Sequence, residues 1–266
     1  MDMATNKPQT LTIVKVGGAV VEDEAQLGVL LKQFASIKGH KLLVHGGGRR
    51  ATKIAAQLGI ESHMVNGRRI TDAQMLEVVT MVYGGLVNKR LVARLQAMGV
   101  NALGLTGADM DVIRSHRRPV KDGIDYGFVG DVDYADGQRL RQLIDQGLTP
   151  VMAPLTHNGQ GDILNTNADT IAATVAKALA PFYNVTLAYC FEKPGVLASP
   201  DDDQSVIPVI TPQLFTSLVA DGTIAGGMIP KIENAIDAIS QGVSQVLITK
   251  ADAIGENKGT VVRSEE

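Results

Sequence analysis

The sequence predicts an α/β fold in which helices cover a mostly parallel sheet. Short runs of β-branched and aliphatic residues alternate along the chain with longer segments of helical periodicity. Two of these runs end in glycine-rich turns, and each turn leads into a helical segment. Hydrophobic residues make up 45% of the 266 residues, which is ample for one two-lobed domain or two small ones.

The first elements follow from this pattern in chain order. A strand over residues 12–16 leads through the first glycine turn to a helix that stops at Gly39. A second strand over residues 41–45 runs into the second glycine turn. A helix over residues 49–58 follows, and Gly59 ends it.

A long helix is predicted over residues 72–98, with Thr71 or Asp72 as its N-cap. Its central part, residues 75–87, is apolar almost all the way round, so it needs cover on more than one side. Other parts of the same chain could supply that cover. The Gly84-Gly85 pair and the width of the apolar surface favour a second copy, and we expect a homodimer through this helix.

The second half of the chain begins with an irregular, charged stretch and then returns to α/β alternation. Residues 107–133 are interpreted as a hairpin or lid with a turn at residues 121–123. We expect Pro181 to mark a lobe boundary, because proline ends the preceding helix, and the lobes are then residues 1–180 and 181–266. The remaining predicted elements are a helix over 136–146, a strand over 149–153, a loop with Asn165 and Asn167, a helix over 169–179 and a strand over 184–190.

Composition argues against several partners. The 25 Lys and Arg residues are balanced by 28 Asp and Glu residues, so no basic field is available for nucleic acid. Aromatic residues make up only 4% of the chain, which leaves few platforms for stacking bases. No signal-peptide pattern or apolar segment of about 20 residues predicts a membrane association. The single cysteine, Cys190, fits a buried strand, and we expect a cytoplasmic protein.

No familiar phosphate-binding or metal-binding signature is present. The sequence has no Gly-x-Gly-x-x-Gly after a strand, no Walker motif, no Gly-x-Ser-x-Gly and no Cys and His spacing of a metal site. Glycine turns at residues 17–18 and 46–48 could bring backbone N–H groups to an anion at helix N-termini, although each also fits an ordinary tight turn. The acidic run at residues 201–203 fits a solvated turn or a cation site.

Five segments, taken in order, resemble the motif series of the N-acyl-L-glutamate kinases in the amino acid kinase family. The resemblance spans nearly the whole chain. It implies a three-layer αβα sandwich around an open, mainly parallel, eight-stranded sheet. It also implies that residues 1–180 bind the N-acylated glutamate and dimerise, and that residues 181–266 bind ATP. The five segments are residues 15–18, 45–48, 66–71, 164–169 and 226–231.

The reaction implied by this resemblance is ATP-dependent phosphorylation of the side-chain carboxylate of N-acetyl-L-glutamate, a step of arginine biosynthesis. A carboxylate with a pKa near 4 is ionised at pH 7, so no general base is needed and catalysis rests on positioning and charge neutralisation. The implied catalytic residues are Lys15 and Lys231, which contact the transferring phosphoryl group, and Asp169, which holds both ammonium groups.

The same resemblance assigns the binding residues, with Mg²⁺ carried mainly by the phosphates of ATP. Where the family usually has Asp-Val-x-Gly, this chain has Glu-Lys-Pro-Gly, which leaves the ribose and adenine contacts open. The implied phosphoryl-binding residues are Gly17, Gly18, Gly47 and Gly48; those for the acceptor are Gly47, Gly48, Arg69 and Asn165; those for the nucleotide are Glu192, Gly195, Gly226, Gly227, Met228 and Lys231.

Three alternatives stay open at this point. The acyl group of the acceptor could be succinyl instead of acetyl, because Arg68, or Arg114, Arg117 and Arg118 in the lid, could pair with an extra carboxylate. The chain could also be a catalytically silent kinase-like domain that senses an amino acid, or a nucleotide-binding scaffold without turnover. The presence of both lysines and the aspartate argues against a sensor.

Overall fold

Strands and helices alternate along the part of the chain that the structure, a computed structural model, describes: residues 9–65, 67–254 and 258–265. The strands are β1 (Thr10–Val16), β2 (His40–His45), β3 (Met64–Val65), β4 (Arg68–Arg69), β5 (Ala102–Leu105), β6 (Ile113–Arg117), β7 (Gly130–Ala135), β8 (Thr149–Met152), β9 (Leu155–His157), β10 (Ile163–Asn165), β11 (Asn184–Phe191), β12 (Val209–Ile210), β13 (Gln245–Lys250) and β14 (Thr260–Val262). The α-helices are α1 (Gly18–Glu22), α2 (Glu24–Ser36), α3 (Gly48–Gln57), α4 (Ala73–Val79), α5 (Asn88–Gln96), α6 (Gly137–Asp145), α7 (Ala168–Leu179), α8 (Pro212–Ala220) and α9 (Met228–Ser240).

Eight strands form the main sheet, in the order β12-β14-β13-β11-β1-β2-β8-β5. Neighbouring strands are parallel except for β13 and β14, which are antiparallel. The sheet is open, so the predicted open and mainly parallel eight-stranded sheet is confirmed. Because β1 lies between β2 and β11, the chain extends the sheet in both directions from its first strand, and the carboxyl ends of these three strands share one edge.

Alternation of side chains along the strands creates a hydrophobic core on each face of the sheet. Leu11 and Ile13 in β1 face the core that includes α6, α7 and α9, whereas Val14 and Val16 face the core that includes α1 to α5. Both layers are therefore needed to bury a single strand, which explains the continuous apolar runs in the sequence. The αβα sandwich is confirmed.

The long helix is present, but it is not α-helical throughout. Asp72 caps it by accepting a hydrogen bond from the Met75 backbone N–H at 2.8 Å. Between α4 and α5, residues Thr80–Val87 form a π-helical segment that contains the Gly84-Gly85 pair. The prediction of one regular helix is wrong in this middle part, where two adjacent glycines weaken the α-helical preference.

A second sheet, in the order β10-β9-β6-β7, was not predicted. Its β6–β7 portion is the expected hairpin, and the turn at its outer end has positive φ at both Asp122 and Gly123, as a type I′ turn requires. The predicted loop before α7 instead contains the β9–β10 hairpin, with Asn165 as the last residue of β10. Strands of three residues are too short to give a recognisable alternation.

Within the described ranges, none of the helices combines the length and apolar character needed to cross a membrane. Cys190 lies on β11 and is buried, as predicted, and burial raises the pKa of its thiol to about 12. Such a thiol is almost entirely protonated at neutral pH and is a poor nucleophile.

Candidate active site

Three helices begin at the carboxyl edge of the sheet without a capping side chain. The N-caps of α1, α3 and α9 are Gly17, Gly47 and Gly227, and none of these helices has a side-chain cap hydrogen bond. By contrast, α2, α4, α6, α7 and α8 are each capped by an Asp, Asn or Thr side chain. The open N-termini of α1 and α3 keep backbone donors and positive dipole ends available for an anion. At α9, the first two N–H groups already donate to carbonyls of the preceding loop and the third residue is proline, so its first turn offers a dipole without free donors.

The two glycine turns that follow β1 and β2 are in contact. A Cβ atom on Gly18 would lie 3.5 Å from the backbone nitrogen of Gly48, 3.6 Å from that of Gly47 and 3.9 Å from that of Arg49. A Cβ atom on Gly46 would lie 3.0 Å from the Gly18 nitrogen. Several backbone nitrogens therefore surround one small space, which is the arrangement of an anion-binding nest.

Beside this nest, Lys15 forms an ion pair with Asp169. The distance from Lys15 Nζ to Asp169 Oδ1 is 2.8 Å. The two groups attract each other as opposite charges, but Asp169 Oδ1, which is buried, accepts no hydrogen bond of good geometry. A Cβ atom on Gly17 would lie 3.9 Å from the same ammonium nitrogen. Lys231 forms no ion pair with Asp169 in this structure; its ammonium group lies 4.2 Å from the centre of the Phe191 ring. The carboxylate thus neutralises one of the two lysines.

A cleft of about 510 Å³ opens on one side of the nest. Glu192 at its mouth is exposed, and its Oε1 atom is 3.9 Å from Arg49 Nη2. Gly226 and Gly227 do not line it; Gly227 borders a separate cavity between α7 and α9. The residues that line the larger cleft include Gly17, Gly18, Gly48, Phe191, Glu192, Gly195, Met228 and Lys231.

A smaller pocket of about 200 Å³ opens on the other side, and Gly48 lines both. Arg69 in this pocket is a buried cation without a carboxylate partner in the described structure. Its guanidinium group donates to Ser62 Oγ at 2.8 Å, Thr52 Oγ1 at 2.9 Å and the Gly48 carbonyl at 3.0 Å. A buried cation that has only neutral acceptors provides a strong site for an incoming carboxylate.

Asn165 and Tyr83 complete the walls of this pocket. Asn165 Nδ2 donates to Thr71 Oγ1 at 2.9 Å, which fixes the orientation of the amide. Burial raises the pKa of the Tyr83 hydroxyl, and nearby Arg69 partly opposes that shift. A Cβ atom on Gly47 would lie 2.8 Å from the Tyr83 ring, so only glycine fits beneath the tyrosine.

His45 supports the second glycine turn from behind. Its Nδ1 donates to the Gly46 carbonyl at 2.9 Å, and its Nε2 accepts from Asn88 Nδ2 at 3.1 Å. Burial lowers the pKa of His45 to about 4, despite the opposing effect of the Gly46 hydrogen bond. The ring is therefore neutral at pH 7 and holds the peptide group that precedes Gly47.

The arginines of the β6–β7 hairpin are already paired. Arg114 donates to Asp111, Arg117 to Asp125 and Arg118 to Asp131. These contacts remove the expectation that the three side chains are free for an extra carboxylate of the acceptor. Arg68 lines the smaller pocket and has no ion-pair partner within 4 Å among the described residues. Asn66, the first residue of its motif, lies outside the described residues.

The acidic run after β11 belongs to a turn. Asp203 Oδ1 is 3.0 Å from Lys193 Nζ, and Asp203 Oδ2 is 3.4 Å from Lys250 Nζ. Those ion pairs lower the pKa of the Asp203 carboxyl. Across the described part of the chain, no three His, Cys, Asp or Glu residues gather as a possible set of metal ligands.

Sequence reasoning missed Phe191 and Tyr83. Phe191 directly precedes the predicted nucleotide residue Glu192, and β1 pairs with β11 so that Lys15 lies opposite Tyr189. A prediction of that strand pairing would have placed the aromatic residues beside the lysine. Tyr83 has no comparable signal, because it reaches the glycine turn from the π-helical segment.

Comparison with known proteins agrees with this architecture. Acetylglutamate kinase from Phocaeicola vulgatus is 67% identical over 255 residues, which cover 96% of this chain and 99% of the relative. Acetylglutamate kinase from Bacteroides thetaiotaomicron is 66% identical over 255 residues, with the same coverage. The protein of that name from Methanopyrus kandleri is 38% identical over 256 residues, or 95% of this chain and all of the relative.

Solved structures with the same fold include smu.665 from Streptococcus mutans, with a TM-score of 0.73 and 28% identity over 95% of this chain and 98% of that one. N-acetylglutamate synthase from Neisseria gonorrhoeae, in complex with coenzyme A and N-acetyl-glutamate, has a TM-score of 0.79 and 26% identity. That match covers 98% of this chain and 60% of the synthase chain.

The sequence model of the amino acid kinase family matches residues 10–250, a span that runs from β1 to the end of β13 and contains both glycine turns, both lysines and Asp169. With that match, the near-complete coverage of its relatives and the eight-stranded sheet, the chain belongs to the amino acid kinase family.

Proposed function

We propose that this chain transfers the γ-phosphoryl group of ATP to the side-chain carboxylate of N-acetyl-L-glutamate, giving N-acetyl-L-glutamyl 5-phosphate for arginine biosynthesis. The observation that carries the proposal is the shared wall at Gly48, which borders both the larger cleft and the smaller pocket. Relatives named acetylglutamate kinase at 63–67% identity support the choice of acceptor.

ATP occupies the larger cleft in this proposal, with its phosphates directed at the nest. Gly195, Met228 and Glu192 line the path of the nucleotide. Gly226 and Gly227 lie just outside this lining, and in the proposal their backbone N–H groups and the positive dipole of α9 bind the phosphate chain. Mg²⁺ would be held mainly by the phosphates of ATP and by water, and it would supply positive charge at the transferring group.

The acceptor occupies the smaller pocket, where Arg69 binds its α-carboxylate through the planar fork of the guanidinium group. Asn165 binds the same molecule from the opposite wall. The side-chain carboxylate then points toward Gly47 and Gly48. The acyl group on the amine protects the product, because a free amine would attack the acyl phosphate.

Transfer requires that two anions meet. One oxygen of the ionised carboxylate forms a bond to the γ-phosphorus while the bond from phosphorus to the β–γ bridging oxygen breaks, and ADP leaves with that electron pair. Lys15 and Lys231 neutralise the charge on the moving group, and Asp169 orients Lys15. Backbone N–H groups of Gly17, Gly18, Gly47 and Gly48 stabilise its oxygens.

The same reaction on N-succinyl-L-glutamate is a second candidate, and one observation favours it. Arg68 lines the acceptor pocket and has no ion-pair partner within 4 Å in the described structure, so it could receive a distal carboxylate. The paired arginines of the hairpin do not offer that contact.

A hydroxylamine trap tests the function and the acyl group together. Purified protein is incubated with ATP and Mg²⁺ on N-acetyl-L-glutamate and, separately, on N-succinyl-L-glutamate, and the trapped acyl phosphate is measured. Turnover with either acceptor establishes the kinase, and the ratio of the two kcat/KM values identifies the acyl group. Folded protein that binds ATP but turns over neither acceptor would instead support an amino-acid sensor, a nucleotide-binding scaffold or a kinase of the same family with a different acceptor.

The proposal extends to assembly and location. A homodimer forms through the helix over residues 72–98, where Met81 and Leu86 are 53% and 45% exposed despite their apolar side chains. Residues 1–180 form the acceptor-binding and dimerising lobe, and residues 181–266 form the ATP-binding lobe. The enzyme acts in the cytoplasm, where ATP is available.

A further inference from the structure

We infer that Phe191 is a positioning residue that holds Lys231 at the transfer point before the phosphate arrives. This inference rests on the proposed function, because it assigns a role to Phe191 only if Lys231 contacts the transferring group. It gives a role to an apolar side chain that was not among the predicted site residues.

The first support is that one aromatic ring lies within cation–π distance of both lysines. Lys231 Nζ lies 4.2 Å from the centre of the Phe191 ring, and Lys15 Nζ lies 5.8 Å from the same centre. An aromatic face attracts a cation within about 6 Å of its centroid, most strongly at short distance. The contact with Lys231 is therefore the stronger of the two.

The second support is that Lys231 forms no ion pair with any residue that the structure describes. Asp169 forms its ion pair with Lys15, and within the described ranges no carboxylate lies within 4 Å of Lys231 Nζ. Lys231 is exposed to the open cleft on the first turns of α9, where a long side chain has many accessible rotamers. The ring favours those rotamers that keep the ammonium group beside the nest.

The third support is that the ring is itself well placed. Phe191 is the last residue of β11, and its ring stacks on Tyr189 with centroids 6.1 Å apart and an interplanar angle of 20°. Tyr189 lies opposite Lys15 in the parallel pairing of β11 and β1. The sheet therefore fixes the position of the Phe191 ring, and the ring restrains Lys231 on α9.

The two lysines are therefore positioned in different ways, Lys15 by a carboxylate and Lys231 by a neutral ring. Two ammonium groups must stay close together in the absence of phosphate, and a second carboxylate would repel the incoming nucleotide. A neutral ring attracts the cation without adding a negative charge. Phe191 therefore preorganises Lys231 and leaves its full charge available for the transferring phosphoryl group.

The test compares Phe191→Leu with Phe191→Tyr in the hydroxylamine assay. Leucine removes the aromatic face, and we expect kcat to fall about three- to thirtyfold, the range that one cation–π contact supports, with the KM of the acceptor unchanged. Tyrosine keeps the face and should retain the wild-type kcat. In a Lys231→Ala background, Phe191→Leu should lower kcat by less than about twofold, because the contact is already lost.

Phe182→Leu is the matched control, since it removes a ring that lies 5.0 Å from the Arg141 guanidinium and lines none of the three cavities described above. It should leave kcat unchanged, and thermal melting should confirm that each variant is folded. A wild-type kcat for Phe191→Leu, an equal loss for Phe191→Tyr, or an equal loss with and without Lys231 would overturn the inference. Wild-type protein that turns over no acceptor would overturn the proposed function instead, which the same assay distinguishes.

Discussion

Arg69 and His45 show how single buried side chains shape the proposed acceptor pocket. Among the described residues, Arg69 carries a charge that meets only neutral oxygens, whereas His45 is kept neutral by its burial. The first side chain is poised for an anion, and the second holds the loop that presents Gly47. Each therefore gives a prediction at the scale of one residue.

Arg69→Lys should lower kcat/KM for the acceptor while leaving the KM of ATP nearly unchanged. A lysine cannot reproduce the fork that binds a carboxylate, and a charged hydrogen bond contributes about 1.5–3 kcal/mol, or roughly ten- to a hundredfold. Steady-state kinetics with each substrate varied measures both constants. Arg141→Lys, at an exposed ion pair on α6, is the control; an Arg69→Lys enzyme with unchanged acceptor kinetics would contradict the assignment.

His45 should make the folded protein less stable as the pH falls from 7 to 5. Its pKa is about 4 when folded, below the ordinary value of 6.5, so the unfolded state takes up the proton first. The contribution of neutral His45 to the free energy of unfolding is present above pH 6.5 and is lost as the pH falls toward 4. The loss between pH 7 and pH 5 is roughly 2 kcal/mol.

Urea unfolding at the two pH values measures this effect in the wild type and in His45→Gln. The free energy of unfolding should differ less between pH 7 and pH 5 in His45→Gln than in the wild type, by roughly 2 kcal/mol. His63→Gln, at an exposed histidine, should behave as the wild type. An identical pH dependence in His45→Gln and the wild type would mean that His45 is not a buried neutral group.

Among the secondary-structure elements, the proposed function depends on helices that start at glycine. The open N-termini of α1 and α3 meet at Gly18 and leave space that a side chain would fill. The local sequence predicted these turns, because glycine and strand patterns are short-range signals. It did not predict the β9–β10 hairpin or the π-helical segment, whose short spans depend on tertiary contacts.

Gly18→Ala tests the nest directly. Gly18 has an ordinary φ and a Cβ would meet the backbone only at 3.5 Å, so the protein should fold and keep its stability. The methyl group would occupy the space for the phosphoryl oxygens, and kcat should fall at least about a hundredfold, as for the loss of an oxyanion donor. Gly28→Ala, in the middle of α2, is the matched control for stability and activity. An active Gly18→Ala enzyme would exclude the nest as the transfer site.

The π-helical segment gives the prediction about assembly. Leu86→Asp places a charge on its exposed apolar surface and should convert a dimer into a monomer in light scattering at micromolar concentration, because a charge is costly to bury in an interface. Val29→Asp, at a comparably exposed apolar residue on α2, should remain dimeric. A monomeric wild type, or a dimer that survives Leu86→Asp, would contradict the proposed interface.

At the scale of the whole molecule, one sheet joins the two proposed lobes. β1, the first strand of residues 1–180, pairs with β11, the first strand of residues 181–266, along seven residues. Hydrogen bonds within the sheet therefore connect the two lobes. Lys15 and Lys231 come from opposite sides of this boundary. The sequence indicated both lysines through the family resemblance. The contact of the Phe191 ring with them could not be predicted from local sequence, because it depends on the pairing of β1 with β11.

A comparison of wild-type protein with Lys231→Ala separates phosphoryl transfer from ATP binding. Acyl phosphate formation from ATP and N-acetyl-L-glutamate is followed with hydroxylamine, and ATP binding is measured by calorimetry on both proteins. If the proposed transfer is correct, the wild type turns over and Lys231→Ala loses at least about a hundredfold in rate, with ATP still bound. Wild-type protein that binds ATP without turnover, or Lys231→Ala that keeps the wild-type rate, would contradict the proposed transfer.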